Sequence, residues 1–132
     1  MEGNAKEPAI RTIMMPRDTN PLGCIFGGHI VSLIDQAAVQ CAMNVANCNF
    51  VTKLIREVEF IEPVNVGDVV SFYGAVISVG RTSICVRIEV EAQHMKRSMQ
   101  PKSVTSAELV LVAVDDRGRP VPVEACDSTA LG

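Results

Sequence analysis

With 132 residues, 48% of them apolar, the chain has the size of one domain and enough apolar side chains to bury a core. No stretch approaches the roughly twenty consecutive apolar residues of a membrane-spanning helix, so no membrane association is expected. A net charge of −3 argues against general nucleic-acid binding, which needs a basic face, and leaves room for a local basic pocket.

The opening residues, Met1 to Lys6, carry no basic stretch followed by an apolar one, so no secretory signal is expected and the cytoplasm is the expected location. Residues 1–8 are read as a flexible N-terminus, 9–116 as one domain and 117–132 as a C-terminal tail. Ala9 to Met15 reads as a first strand stopped by Pro16, and Pro16 to Phe26 as a loop. Gly27-Gly28 then opens a stretch from His29 to Asn47 free of proline and glycine. At about 100° per residue, Ile30, Val31, Ile34, Ala38, Cys41, Ala42 and Val45 share one broad arc. Ser32, Gln36, Gln40 and Asn44 form a narrow polar stripe, the pattern of a helix buried on most sides.

Everything after the helix reads as strand: Phe50 to Ile61, Val69 to Val79, Thr82 to Gln93 and Ser103 to Asp115. The third of these alternates cleanly, with Ile84, Val86, Ile88, Val90 and Ala92 on one face and Cys85, Arg87, Glu89 and Glu91 on the other. Strands joined by short turns run antiparallel, so the expected fold class is α+β: one antiparallel sheet with a helix on one face. A sheet curled around the helix would explain why that helix is so apolar. Beyond Asp116, the run Asp116-Arg117-Gly118-Arg119-Pro120 signals a turn, and the residues that follow show no period.

Five cysteines (Cys24, Cys41, Cys48, Cys85 and Cys126) stand at scattered spacings, with no C-x-x-C pair and no zinc-like Cys/His cluster. They are expected to be small apolar fillers in a reducing compartment, and no metal site is expected.

Asp35 stands out because it lies inside the apolar arc, away from the polar stripe. A carboxylate that loses water there is costly unless something satisfies it. It either serves chemistry or sits at the edge of the arc, reaching solvent or a donor. Gly27-Gly28 permits close backbone approach and presents free N–H groups at the positive end of the helix dipole, a setting that suits an oxyanion. Gly-Gly also simply turns a chain into a helix. Asn20, in Asp18-Thr19-Asn20-Pro21-Leu22-Gly23, is either a turn residue or an amide that orients water or a carbonyl.

The run Met15-Pro16-Arg17-Asp18-Thr19-Asn20-Pro21-Leu22-Gly23-Cys24-Ile25-Phe26-Gly27-Gly28, followed by Ile30, Ile34 and Asp35, resembles the signature of the YciA-like and cytosolic acyl-CoA hydrolases. The likeness extends to Val64 to Val70, Gly80 to Ser83 and Ala113 to Asp115, and so covers about residues 10 to 115. It implies a hotdog fold, in which the sheet wraps a long central helix. It also implies hydrolysis of acyl-CoA to free CoA and a carboxylic acid, with no cofactor beyond the CoA of the substrate. Asp35 would be the catalytic carboxylate, as general base or as nucleophile, and the N–H of Gly28, with Gly27, would polarise the thioester carbonyl. Asn20 of one subunit would face Asp35 of its partner, making a homodimer the minimal unit and a hexamer, a trimer of dimers, the expected assembly. Gly80, Arg81, Thr82 and Ser83 would bind CoA with Arg56, while Lys53, Lys96, Arg97 and Lys102 are further cations for its phosphates. His29 stands where many relatives carry a bulky residue, and Cys24 fills a variable slot of the motif; neither matches a catalytic position. Two alternatives share the fold: a hydroxyacyl-thioester dehydratase, for which the His-Phe-Pro-type loop is missing, and a non-catalytic acyl-CoA sensor.

Overall fold

The computed structural model describes residues 7–94 and 100–126. The expected residues Lys96 and Arg97 lie outside the described residues, as do positions 1–6 of the N-terminus and 127–132 of the tail. The described chain holds β1 (Ile10–Ile13), α1 (Gly27–Val45), β2 (Asn49–Phe60), β3 (Val69–Val79), β4 (Ser83–Gln93) and β5 (Lys102–Val114). All pairs are antiparallel, and the sheet order is β1-β3-β4-β5-β2. Helix α1 touches β2, β3, β4 and β5, so the sheet curls around it as its apolar arc requires.

Only β3-β4 and β4-β5 follow the rule that strands consecutive in the chain are neighbours. β2 and β3 lie at opposite ends of the β3-β4-β5-β2 run, because the link between them crosses the mouth of the sheet instead of closing a hairpin. In that link Ile25 N–H donates to the Val64 carbonyl at 2.9 Å and Cys24 bridges Asn65. The crossing therefore fastens the segment before α1 to the end of β2.

The alternation of β4 is realised: Ile84, Val86, Ile88 and Val90 are completely buried against α1. On α1 the buried residues are Ile30, Ile34, Ala37, Ala38 and Ala42, and the polar stripe Ser32, Gln36, Gln40 and Asn44 is exposed. Val45 of the expected arc is 37% exposed, with Met43 beside it at 45%. The helix starts at Gly27, with Gly27-Gly28 as its first two residues. Phe26 is its N-cap, and the Phe26 carbonyl accepts the first intrahelical bonds from His29 (3.1 Å) and Ile30 (3.4 Å).

One expectation is corrected. Cys48 and Cys126, 78 residues apart, form a disulfide, so they are a crosslink and not independent fillers; Cys24, Cys41 and Cys85 are free. The segment after Asp116 folds back onto the sheet. Asp115 Oδ1 accepts the N–H groups of Arg117 (2.8 Å) and Arg119 (3.0 Å), and Gly118 adopts φ 79° to close the turn. Val121 N–H then donates to Ala113 and Val123 N–H to Arg81, with Val123 buried. The turn over residues 116–120 was signalled by its residue types; the residues beyond it lack a period, and hydrogen bonds to the sheet and burial of Val123 hold them. Among the described residues, no helix is long and apolar enough to cross a membrane.

Candidate active site

The loop before α1 is built around Asp18 and Asn20. Asp18 Oδ2 accepts the Met15 N–H at 3.3 Å, closing a short 3-10 turn over Pro16–Asp18. Asn20 Oδ1 accepts the N–H groups of Leu22 (2.9 Å) and Cys24 (3.1 Å), while Gly23 sits at φ 90°, where a side chain would be strained. The structure shows the turn role of Asn20. Its oxygen is spent on the turn, and its NH2 group, with no acceptor among the described residues, remains a donor.

This loop leads into the N-terminus of α1. Phe26 provides no side-chain cap, so the N–H groups of Gly27 and Gly28 keep the unsatisfied donors of a helix start. Gly27 also answers a steric need: a Cβ there would lie 3.1 Å from the Phe60 ring at the end of β2. At Gly28 a Cβ would meet nothing, and the position is exposed. Asn20 and Gly27 line one cleft of about 340 Å³ between this loop and residues 60–64, with Ile25, Ile30 and Phe60 among its walls.

Asp35 is not in that cleft. It lies half-buried on α1, facing β2, where the Thr52 hydroxyl donates to Asp35 Oδ1. The second carboxylate oxygen has no partner among the described residues. Thr52 shares strand parity with buried Phe50, so ordinary alternation turns it toward α1, and a register irregularity of β2 follows it between Thr52 and Leu54. Seven residues of helix separate Gly28 from Asp35, about 10 Å along the axis. One chain thus presents the donors and the carboxylate on one helix but too far apart to act on the same atom.

The other expected residues fall elsewhere. In the β3-β4 turn, Gly80 N–H donates to the Ser83 carbonyl at 2.7 Å, and the carbonyls of Thr82 and Arg81 accept from Ala113 and Val123. Exposed Arg81 borders a shallow cleft with Gly80, Pro122 and Glu124. Arg56 is on the sheet face, paired with Glu108 at 3.3 Å and 3.7 Å from the Cys85 sulfur. Hydrogen bonds to Cys85 and then to Glu108 hold its guanidinium further toward the charged form. Along β5 its partner Glu108 is four residues from Val112, which pairs with Ser83. That is roughly 13 Å, so within one chain Arg56 and the Gly80–Ser83 turn are separate. Lys102 pairs with Glu62 at 3.4 Å and Lys53 is exposed.

His29 faces away from the Phe60 cleft. Its Nε2 lies 3.5 Å from Asp18 Oδ2, in a groove shared with Arg11, Met15 and Leu33. It is six residues from Asp35, about 9 Å along the axis and roughly 120° around it, so no His–Asp pair of the dehydratase kind forms within the chain. Among the described residues, no group of His, Cys, Asp and Glu could hold a metal ion. Thr52 is the site residue the sequence did not flag. A threonine in a strand is ordinary, and only the packing of β2 on α1 gives it the carboxylate as partner.

Comparison with known proteins follows the same lines. The thioesterase superfamily model matches residues 22–98. Acyl-CoA thioester hydrolase YciA of Salmonella typhimurium is 38% identical over 119 residues, covering 89% of this chain and 90% of its own. A hexameric hotdog-fold thioesterase of Campylobacter jejuni superposes with a TM-score of 0.84 at 41% identity, covering 89% of this chain and 90% of that one. A hexameric broad-specificity acyl-coenzyme A thioesterase, solved with one aspartate replaced by alanine, gives 0.86 at 34% identity over 96% and 94%.

Proposed function

The chain belongs to the thioesterase superfamily and has the hotdog fold, and from that premise we propose that it hydrolyses acyl-CoA to CoA and a carboxylic acid at a site shared between two copies. In the proposed reaction the thioester carbonyl oxygen takes hydrogen bonds from the N–H groups of Gly28 and Gly27, where negative charge develops at the positive end of α1. Asp35 of the partner copy either removes a proton from the attacking water or attacks the carbonyl itself; in the second case a mixed anhydride forms, and water then hydrolyses it to the carboxylic acid and the free Asp35 carboxylate. The C–S bond breaks, and the sulfur leaves as the CoA thiol after taking up a proton. The Asn20 NH2 group supplies a further donor to water or carbonyl. The reaction draws on no cofactor beyond the CoA of the substrate, and Gly80, Arg81, Thr82, Ser83 and Arg56 are assigned to the CoA end.

One observation carries this reading: a carboxylate oriented by the Thr52 hydroxyl, with one oxygen open, on the same helix as unsatisfied N–H donors but about 10 Å from them. That separation is what argues for two copies. Among the described residues the outer edge of β2 is unpaired, and Val51, Leu54, Phe60 and Ile61 on or beside it are exposed. Exposed Val76, Ile77 and Val79 at the end of β3 give a second apolar surface. Pairing of two β2 edges, followed by packing of dimers through further apolar surface, is the assembly this favours.

The test is CoA release from acyl-CoA, read by thiol trapping, for the wild type, Asp35→Ala and Asn20→Ala. Turnover is expected to vanish in the first and to fall strongly in the second, with folding unchanged by circular dichroism. Mixing the two variants should restore part of the activity. Near-full activity of Asp35→Ala would overturn the catalytic role, and absence of rescue would overturn the shared site. Binding of acyl-CoA without release would identify a sensor.

A further inference from the structure

Strand β2 turns over just before it reaches the cleft that holds Asn20 and Gly27. Between the pairs Arg56↔Glu108 and Glu59↔Ser106, two residues of β2, Glu57 and Val58, stand opposite the single Ala107 of β5. Glu57 takes φ 55° there, the left-handed region that a residue with a Cβ adopts only at a cost. An extra residue of this kind inverts the alternation of the strand beyond it. Ile55 lies opposite Leu109 and Phe60 opposite Thr105, and both β5 residues are on the buried face. Directly opposed residues share a face, so Ile55 and Phe60 both face α1. Five residues apart in an unbroken strand, they would face opposite ways. Without the bulge, Phe60 would point away from the helix.

The neighbours of the ring say what it does there. Phe60 lines the cleft with Asn20, Gly27, Ile25 and Ile30, and at 54% exposure it faces the open cleft and not the core. A Cβ at Gly27 would lie 3.1, 3.2 and 3.7 Å from Cζ, Cε1 and Cε2 of the ring. The gap between the ring edge and the start of α1 is therefore too small for one methyl group. Backed by the helix, the ring cannot retreat from a ligand in the cleft. Gly27 N–H is one of the donors assigned to the thioester carbonyl, so the first carbons of the acyl chain pass beside the ring. We infer that Phe60 is a specificity-determining residue, which admits straight acyl chains and excludes those branched at the carbon next to the carbonyl. The inference rests on the thioesterase reading and adds to it the shape of the acyl group. The strained backbone at Glu57 serves the same role, since it aims the ring at the cleft.

The experiment uses two isomers, butyryl-CoA and 2-methylpropanoyl-CoA, which share their CoA portion and their atom count and differ only in the branch. kcat/KM for each is measured on the wild type, Phe60→Leu and Phe60→Ala, with the assembly followed by light scattering because the β2 edge runs beside the ring. The wild type should favour the straight isomer by about tenfold, the scale on which an apolar pocket discriminates one methylene group. Phe60→Ala should lower that ratio several-fold by raising the rate for the branched isomer, and Phe60→Leu should fall between. A wild-type ratio near one would overturn the inference whatever the variants do. So would an unchanged ratio in Phe60→Ala, including a common loss for both isomers or a change of assembly, which would make Phe60 a structural or interface residue. If the alanine variant does not fold, the leucine variant decides by the same ratio. If the wild type hydrolyses neither isomer, the thioesterase reading fails. Calorimetry with the two ketone analogues, in which a methylene replaces the thioester sulfur, then still judges Phe60 by its binding ratio.

Discussion

The packing of α1 on β3 sets where the helix, and with it Asp35, stands against the sheet, and one pair of residues makes that packing measurable. A Cβ built at Gly74 of β3 would lie 2.1 Å from the Cys41 sulfur, 3.2 Å from Ile88 Cδ1 and 3.4 Å from Cys41 Cβ. The first distance is impossible without movement, whereas the third is ordinary contact. Gly74→Ala therefore forces either the helix or the thiol to shift, an overpacking cost of about 1–3 kcal/mol. Removing glycine from a strand returns about 0.5–1 kcal/mol, leaving a net loss of roughly 1–2 kcal/mol. Cys41→Ala alone removes one sulfur from a half-buried position and costs about 1 kcal/mol. In that background only the 3.2 Å approach to the flexible end of Ile88 remains tight, so Gly74→Ala should cost much less than in the wild type. The coupling in the double-mutant cycle is then on the order of 2 kcal/mol, roughly 4–10 °C in Tm for a domain of this size. Thermal melts of the four proteins at one fixed protein concentration measure it. A stabilising Gly74→Ala in the wild-type background, or an equal cost in both backgrounds, would refute the placement of α1 on β3.

Three further outcomes are expected. Thr52→Val should lower kcat for acyl-CoA about tenfold with little change in KM, because it frees the Asp35 carboxylate to rotate; an unchanged kcat would mean that the hydrogen bond does not orient the acting group. Titration of the denatured, non-reduced protein should find three thiols per chain, and five after reduction, since Cys48 and Cys126 are paired; Cys126→Ser should lower stability by up to about 4.5 kcal/mol, the chain-entropy limit for a loop of 78 residues. Burial pushes the Cys41 thiol above its usual range, so its thiolate is scarcer than that of an exposed cysteine at any pH near 8. Its alkylation, followed by peptide mass mapping, should lag that of an unfolded control, and the stability its neutral form contributes should be lost as pH rises past the ordinary thiol range.

What the sequence made legible were features that a single segment must express by itself. Ile84, Val86, Ile88 and Val90 alternate because one face of β4 is buried along its whole length, and a period of two needs no knowledge of the neighbours. The polar stripe of α1 was readable for the same reason. Where the reading fell short, the deciding partner was distant in the chain. β2 pairs with β5 and not with β3, because residues 61–68 cross over to hold the loop at Cys24 and Ile25. Cys48 and Cys126 meet only because residues 119–126 return along the sheet. Val45 and Met43 are apolar and yet exposed, which a helical wheel cannot anticipate, since it assigns burial without knowing whether a second chain covers the surface.

Asp35 shows where the two kinds of information divide. A carboxylate on an apolar arc is legible as costly from sequence alone, because the surrounding valines and alanines withhold the water it needs. The pattern thus implied that something must satisfy the charge. It could not say that a threonine 17 residues later would do so through one oxygen, because Thr52, on the same face of β2 as buried Phe50, meets the carboxylate only through the packing of β2 on α1. The distance between the Gly28 donor and the carboxylate was legible, since seven residues at the rise of a helix set it at about 10 Å. The height is what matters here. Two full turns of helix separate Gly28 from Asp35, and in the proposed reaction a second copy facing the first closes that gap.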